Sequence, residues 1–168
     1  RDAVPDALPD GPVRGRGAQL NPGNRFESVR LHVLGEHLDE AREAHPDGRR
    51  VETTVTPDLT RSVINPADSP DLGFEWTLNP YRGCEHGCIY CYARPGHEYL
   101  GMSSGLDFET KLLAKHDAPE LLRKELMKPS WKGEPIMISG VTDPYQPIER
   151  DLEITRRCLE VCAEFRQP

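Results

Sequence analysis

No part of this chain stays apolar for long. The ~18 consecutive apolar residues of a membrane-spanning helix are absent, and the opening Arg1-Asp-Ala-Val-Pro-Asp6 has no apolar core of a secretory signal. Aromatic residues make up only 7% and hydrophobic residues 36% of the 168 positions, against 29% charged, so the chain has room for one modest domain with a small core. Internal repeats are missing, which excludes solenoids and propellers. Basic residues are outnumbered, 21 Lys and Arg against 28 Asp and Glu, for a net charge of −7. That disfavours non-specific nucleic-acid binding by the surface as a whole and leaves a local basic groove open. An even set of cysteines is lacking too. Five cysteines without an export signal do not make a disulfide framework, and reduced thiols point to the cytoplasm.

What the chain does have is a concentration of thiols. Cys84, Cys88 and Cys91 lie in Asn79-Pro-Tyr-Arg-Gly-Cys-Glu-His-Gly-Cys-Ile-Tyr-Cys-Tyr-Ala-Arg94, a C-x3-C-x2-C spacing among glycines and aromatics. Three thiolates this close can grip one inorganic centre from a single loop. A [4Fe–4S] cluster normally takes four protein ligands, so three leave one iron open for a substrate or cofactor. A zinc site completed by His86 or His97 is the competing reading. Against zinc, structural sites pair two short ligand clusters across a longer loop, and no second Cys or His pair follows at such spacing.

The spacing resembles the signature of the radical SAM enzymes, in which S-adenosylmethionine occupies the open iron, and Tyr90 before the last cysteine fits the same pattern. Further blocks extend the resemblance over most of the chain. They are Gly15-Arg-Gly-Ala18, Asn21-Pro-Gly-Asn-Arg-Phe-Glu27, Ser69-Pro-Asp-Leu-Gly-Phe74, Gly105-Leu-Asp-Phe-Glu-Thr-Lys111 and Thr142-Asp-Pro-Tyr-Gln-Pro-Ile-Glu149. Together they are similar to an uncharacterised bacterial group of radical SAM proteins related to spore photoproduct lyase, a DNA-repair enzyme.

The resemblance implies an α/β fold: the N-terminal part of a partial (β/α)6 barrel of TIM type, preceded by an irregular, partly disordered extension. It implies a [4Fe–4S] cluster on Cys84, Cys88 and Cys91, and S-adenosylmethionine as second cofactor. The activity implied is reductive cleavage of that cofactor to a 5′-deoxyadenosyl radical. The loop Ser139-Gly-Val-Thr-Asp143 would meet the amino group of the methionine part, with oxygens from Ser139, Gly140, Thr142 and Asp143. The common glycine-glycine-glutamate version of that loop is absent. Tyr90 and Tyr92 would shelter the adenine or pack the loop. DNA is a candidate substrate by analogy with spore photoproduct lyase, and flavodoxin or ferredoxin a candidate electron donor. A non-catalytic iron–sulfur protein for electron transfer or sensing, and a zinc-binding structural module, stay open as alternatives.

Six barrel units need roughly 190 residues, scaling from the ~250 of a full eight-unit barrel. The stretch from Cys84 to Pro168 is far shorter, so the expectation is an N-terminal fragment, with strand edges exposed to aggregation.

Organisation follows composition. Residues 1–24, dense in Pro, Gly, Asp and Arg, are expected as a disordered tail; Arg14, Arg16 and Arg25 could meet a phosphate or an acidic surface. Residues 25–73 form an extension with short strands, at Phe26–Leu34, Val51–Thr56 and Thr60–Ile64, with a turn at His45-Pro-Asp-Gly48. Residues 74–168 begin the barrel. Phe74–Leu78 is its first strand and Pro135–Ser139 a buried parallel strand. Ile89–Ala93 opens a short helix that Pro95 ends. Phe108–Lys115 alternates and reads as strand. Pro119–Met127, capped by Asp117, and Leu152–Phe165 are helices. Around the cysteines, Arg82 and Arg94 could hold an anion, His86 could donate to the cluster from behind, and His97 and Tyr99 could face substrate. Cys158 and Cys162, four apart on one helix face, read as buried free thiols or, alternatively, a metal pair.

Overall fold

The computed structural model describes residues 13–26, 43, 50–67 and 71–168. Most of the expected strand at Phe26–Leu34, the turn at His45–Gly48 and residues 1–12 of the expected tail lie outside the described residues. Residues 13–24, also placed by composition in the tail, are laid against the body of the protein.

Two three-stranded sheets carry the fold. In one, β5 (Lys111–Ala114) is central, with β1 (Thr54–Pro57) parallel on one side and β4 (Tyr81–Arg82) antiparallel on the other. β-Branched Thr54, Val55 and Thr56 suit the extended backbone, and Pro57 is tolerated because β1 is an edge strand. In the other sheet β3 (Trp76–Leu78) is central, antiparallel to β2 (Ile64–Pro66) and parallel to β6 (Ile136–Ile138), with Leu78 opposite Ile138. The two strands expected to open a barrel are thus present as β3 and β6 and lie side by side in parallel. The arrangement is mixed α/β, and among the described residues no sheet closes into a barrel.

Helix α1 (Leu106–Thr110) precedes β5, so Phe108–Lys115 is not one strand as its alternation suggested. Leu106, Phe108 and Thr110 are all buried, but so are Asp107 and Glu109 between them. Burial on every side, with the acidic groups hydrogen-bonded, let a helical turn form where alternation predicted one wet face. Pro95 also acts against expectation. It stands in the first turn of a 3₁₀ helix, Arg94–Leu100, where a proline needs no N–H partner, and starts the element instead of ending one.

The core lies where helix α2 (Ala118–Leu126) packs on helix α4 (Ile154–Phe165) over the strands. Val63, Leu78, Tyr81, Ala114, Ala118, Leu122, Leu126, Ile154, Cys158 and Val161 form one buried cluster. Ile154, Cys158 and Val161 recur at the spacing that keeps one helix face inward, and burying Leu122 alone is worth about 1.5–3 kcal/mol. Pro119 occupies the first turn of α2 as expected, but the Asp117 side chain makes no cap bond; its backbone carbonyl accepts the Leu121 N–H at 2.9 Å.

A short helix α3 (Glu149–Leu152) ends at Glu153, whose φ of 50° breaks the chain before α4. The Glu149 carboxylate accepts the Thr155 and Arg156 N–H groups at 3.0 and 2.9 Å, satisfying orphan donors at the start of α4, and also receives the Tyr81 hydroxyl. That bond and burial push the Tyr81 phenol well up, burial contributing most.

Strand β6 is less buried than expected. Ile136 and Ile138 are half-buried and Met137 is 42% exposed, because β6 is the edge of its sheet and only one face is covered. Among the described residues no helix is long and apolar enough to cross a membrane.

Candidate functional site

β3 and β6 run in the same direction, so the loops that follow them leave from the same end of the sheet. After β3 the chain passes through Asn79-Pro80, pairs briefly as β4, and turns into the cysteine loop. After β6 it turns into Ser139–Asp143. Polar bonds join the two loops at every step. Asn79 Oδ1 accepts the Ser139 hydroxyl at 2.8 Å, the Gly140 N–H at 2.8 Å and the Val141 N–H at 3.1 Å. The Gly83 carbonyl accepts the Thr142 hydroxyl at 2.6 Å and the Gln146 amide at 3.3 Å. Gln146, almost fully buried, also accepts the Glu85 N–H at 3.1 Å. Tyr92 crosses from the other side, its hydroxyl donating to the Gly140 carbonyl at 2.9 Å. His86 Nε2 lies 3.5 Å from Asp143 Oδ2.

The cysteine loop is pinned at its start by the Cys84 N–H to the Phe108 carbonyl at 2.9 Å, and closes on itself through the Cys91 N–H to the Cys88 carbonyl at 3.2 Å. Gly83 and Gly87 adopt φ of 79° and 65°, the left-handed conformation that a side chain would strain. Cys84 is buried, and Cys88 and Cys91 are half-buried free thiols. Burial pushes the Cys84 thiol up, and the neighbouring Asp143 and Cys91 add to that shift. The donor set is chemically right for a cluster: three free thiols on one loop that already bends through two left-handed glycines. Their side chains are not drawn to a common point, and no three His, Cys, Asp or Glu among the described residues gather closely enough to hold a metal ion.

The structure brings Ser139, Gly140, Thr142 and Asp143 beside the cysteine loop. The Thr142 hydroxyl donates to Gly83, and Asp143 Oδ1 accepts the Tyr145 N–H at 2.7 Å. Tyr90 is 86% exposed on the loop surface, with Ile89 and Tyr92 also open.

Other candidates lie elsewhere. His97 is buried, with Nε2 3.0 Å from the Lys111 carbonyl and its ring edge-on to Phe108; burial holds its pKa down. Its ring is therefore closed off from solvent, lying inside the protein near Gly83 and Phe108. Tyr99 stacks at an angle on Phe26, 5.3 Å between centroids. Arg82 bonds Asp58 at 3.3 Å. Arg94 donates to the carbonyls of Cys88 and Gly105 at 3.0 and 3.1 Å and pairs with Glu109, so its charge is taken up inside the protein. Arg16 is engaged in the same way, by the Glu109 carbonyl at 2.9 Å and Thr53 Oγ1 at 2.7 Å. Cys158 and Cys162 sit in or against the hydrophobic core, and burial raises the Cys158 thiol to about 12.

Asn79, Glu109 and Gln146 were not among the residues that the sequence pointed to. All three stand within blocks singled out above, yet a polar side chain carries no signal of which distant backbone groups it will meet.

No family model matches this chain, and no solved structure matches it. Over 92 residues it is 45% identical to an uncharacterised protein of Mycobacterium tuberculosis (strain H37Rv), an alignment covering 54% of this chain and 27% of the relative. It is 32% identical over 100 residues to an uncharacterised protein of Methanocaldococcus jannaschii, covering 60% of this chain and 35% of the relative. A 29% identity over 98 residues links it to an uncharacterised protein of Acidianus two-tailed virus, covering 55% and 32%. This chain spans only about a quarter to a third of the curated relatives it matches.

Proposed function

We propose that this chain is the first part of a radical SAM enzyme, a partial (β/α)6 barrel in which Cys84, Cys88 and Cys91 hold a [4Fe–4S] cluster and the Ser139–Asp143 loop receives S-adenosylmethionine. One observation carries the reading. The C-x3-C-x2-C loop follows strand β3, the Ser139–Asp143 loop follows its parallel neighbour β6, and the two are hydrogen-bonded to each other at one end of the sheet. In barrels built from parallel strands, sites assemble from loops at the carboxyl ends of neighbouring strands.

The chemistry such a pair of cofactors supplies when bound is one-electron reductive cleavage of S-adenosylmethionine to a 5′-deoxyadenosyl radical. The chain's own part is to hold and orient. Cys84, Cys88 and Cys91, once deprotonated, would each ligate one iron of the cluster. Thr142 and Gln146 grip the Gly83 carbonyl and so set the angle at which the cysteine loop meets its neighbour. Asn79 spreads one oxygen over Ser139, Gly140 and Val141 and fixes the shape of the second loop. Asp143 and the Gly140 carbonyl are oxygens suited to an ammonium, and Tyr90 offers an exposed ring to an adenine. DNA as substrate, flavodoxin or ferredoxin as electron donor, and a cytoplasmic setting rest on the resemblance and on the reduced thiols.

The test is anaerobic reconstitution with iron and sulfide, followed by EPR of the reduced protein with and without S-adenosylmethionine. A [4Fe–4S]⁺ signal that changes on adding the cofactor is expected. Uptake of zinc with no cluster would overturn the proposal in favour of a structural zinc module. A cluster indifferent to the cofactor would favour an electron-transfer or sensor protein.

A further inference from the structure

Glu109 is a carboxylate with no exposure to solvent, on α1, the short helix whose Phe108 carbonyl also accepts the Cys84 N–H. Its two oxygens are taken by three donors from two distant parts of the chain. The Gly17 N–H reaches Oε2 at 2.9 Å and the Ala18 N–H reaches Oε1 at 2.7 Å. The Arg94 guanidinium pairs with Oε1. Arg94 in turn donates to the Cys88 carbonyl at 3.0 Å, inside the cysteine loop.

The segment Arg16–Ala18 therefore lies as a strap across that loop, and contact between them is direct. A Cβ placed on Gly17 would fall 1.7 Å from the Gly87 carbonyl oxygen, a distance no side chain can occupy, so only glycine lets the two backbones approach. Arg16 closes the strap's other end through Thr53 Oγ1, whose hydroxyl donates to Glu85 Oε1 at 2.6 Å, again in the cysteine loop. The Gly15-Arg-Gly-Ala18 block thus has a physical purpose in this structure that is not phosphate binding. Its backbone donors and its arginine are spent on Glu109, Val51 and Thr53.

We propose that Glu109 is the positioning residue of the cysteine loop. Its carboxylate ties the strap at Gly17-Ala18 to Arg94, and through Arg94 to the Cys88 carbonyl, holding the thiol-bearing loop in the shape from which it takes up metal. The role rests on the proposed function above, but it acts through other residues and not on the reacting atoms. Loss of the carboxylate leaves Arg94 without its counter-charge and two N–H groups without an acceptor in a water-poor site, a change that local opening of the loop would relieve. In Glu109→Gln one oxygen becomes an N–H₂ facing the Gly17 or Ala18 donor, so shape is kept while the bonding is broken.

The test uses hydrogen exchange of the metal-free chain, read peptide by peptide, together with the rate at which a chelator strips iron after reconstitution. Two variants are compared with the parent, Glu109→Gln and Gly17→Ala; the second leaves every charge in place. Both should raise exchange in residues 84–94 roughly tenfold or more, the scale set by losing charge-assisted hydrogen bonds, with exchange in α2 and α4 unchanged, and both should speed iron loss. Exchange in 84–94 identical to the parent in either folded variant would overturn the proposal. So would faster exchange spread evenly over α2 and α4, which would make Glu109 a general stability residue. Should Glu109→Gln not fold, Glu109→Asp, which keeps the charge but withdraws the carboxylate from the Gly17 and Ala18 N–H groups, is read in its place against the same two outcomes. A parent that takes up no cluster would sink the proposed function, and the exchange result would still judge the role of Glu109 in shaping the loop.

Discussion

The two groups of cysteine in this protein have opposite surroundings. Cys84, Cys88 and Cys91 sit on a loop held almost wholly by polar bonds, from Phe108, Gln146, Thr142 and Arg94, with Ile89 and Tyr90 exposed between them and Tyr92 exposed just after. Cys158 lies in the apolar cluster between α2 and α4, with Cys162 packed against it. Half-buried Cys88 and Cys91 on the loop are within reach of reagents, whereas Cys84 at the loop's start and Cys158 in the core are both buried, and burial suppresses the thiolate of each. Residue type alone does not decide what a thiol meets; the packing around it does.

The sharpest way to break this comparison is substitution of each group. Cys88→Ala should abolish cluster uptake, because two thiolates cannot hold three irons, whereas Cys162→Ala should retain the parent's iron content after the same reconstitution. Equal loss in both would erase the distinction.

Next in size is the support beneath the second group. Leu122→Ala, at a fully buried core position, should cost about 2–5 kcal/mol in urea unfolding, while leaving alkylation of Cys88 by iodoacetamide unchanged under native conditions. In the parent at pH 8, Cys88 and Cys91 should label well before Cys158, whose thiol is pushed up to about 12. Rapid native labelling of Cys158 would contradict its burial.

A smaller effect should follow Gln146→Ala, which removes the Glu85 N–H acceptor and one donor to the Gly83 carbonyl. About 1–3 kcal/mol of stability should be lost, with the change in hydrogen exchange centred on residues 83–86 and not on α2.

The least effect expected is a pH dependence from His97. Burial lowers its pKa from an ordinary value of 6.5, so between the two values the unfolded chain binds a proton that the folded chain refuses. Its contribution to stability is therefore present above about pH 6.5 and is lost as pH falls toward the folded value. Melting temperatures taken from pH 7.5 down to 5.5 should fall less in His97→Gln than in the parent.

Much of the candidate site is legible in the order of residues, because its signal is local. C-x3-C-x2-C, the strands at Trp76–Leu78 and Ile136–Ile138, and the helices carrying Leu122 and Cys158 depend on spacing within a few residues. Phe108–Lys115 is not legible in this way. Its alternation assumes one wet face, and the helix at Leu106–Thr110 is buried all round, with Asp107 and Glu109 paired by groups from residues 17–21 and 94. His97 is close enough in sequence to the cysteines to be a ligand, but the 3₁₀ helix turns it inward onto Phe108.

The sequence by itself determined that three thiols share one short loop, since spacing and loop length follow from the order of residues in one stretch. Only the tertiary structure decided what stands around them: that β3 and β6 lie in parallel and bring two loops together, that Glu109 and Gln146 turn toward those loops, and that Gly17 passes against Gly87. These contacts join residues roughly 60 to 90 positions apart. The physical reason is that a buried polar group must find its partner wherever packing places one, and packing belongs to the whole chain, whereas spacing belongs to the neighbourhood.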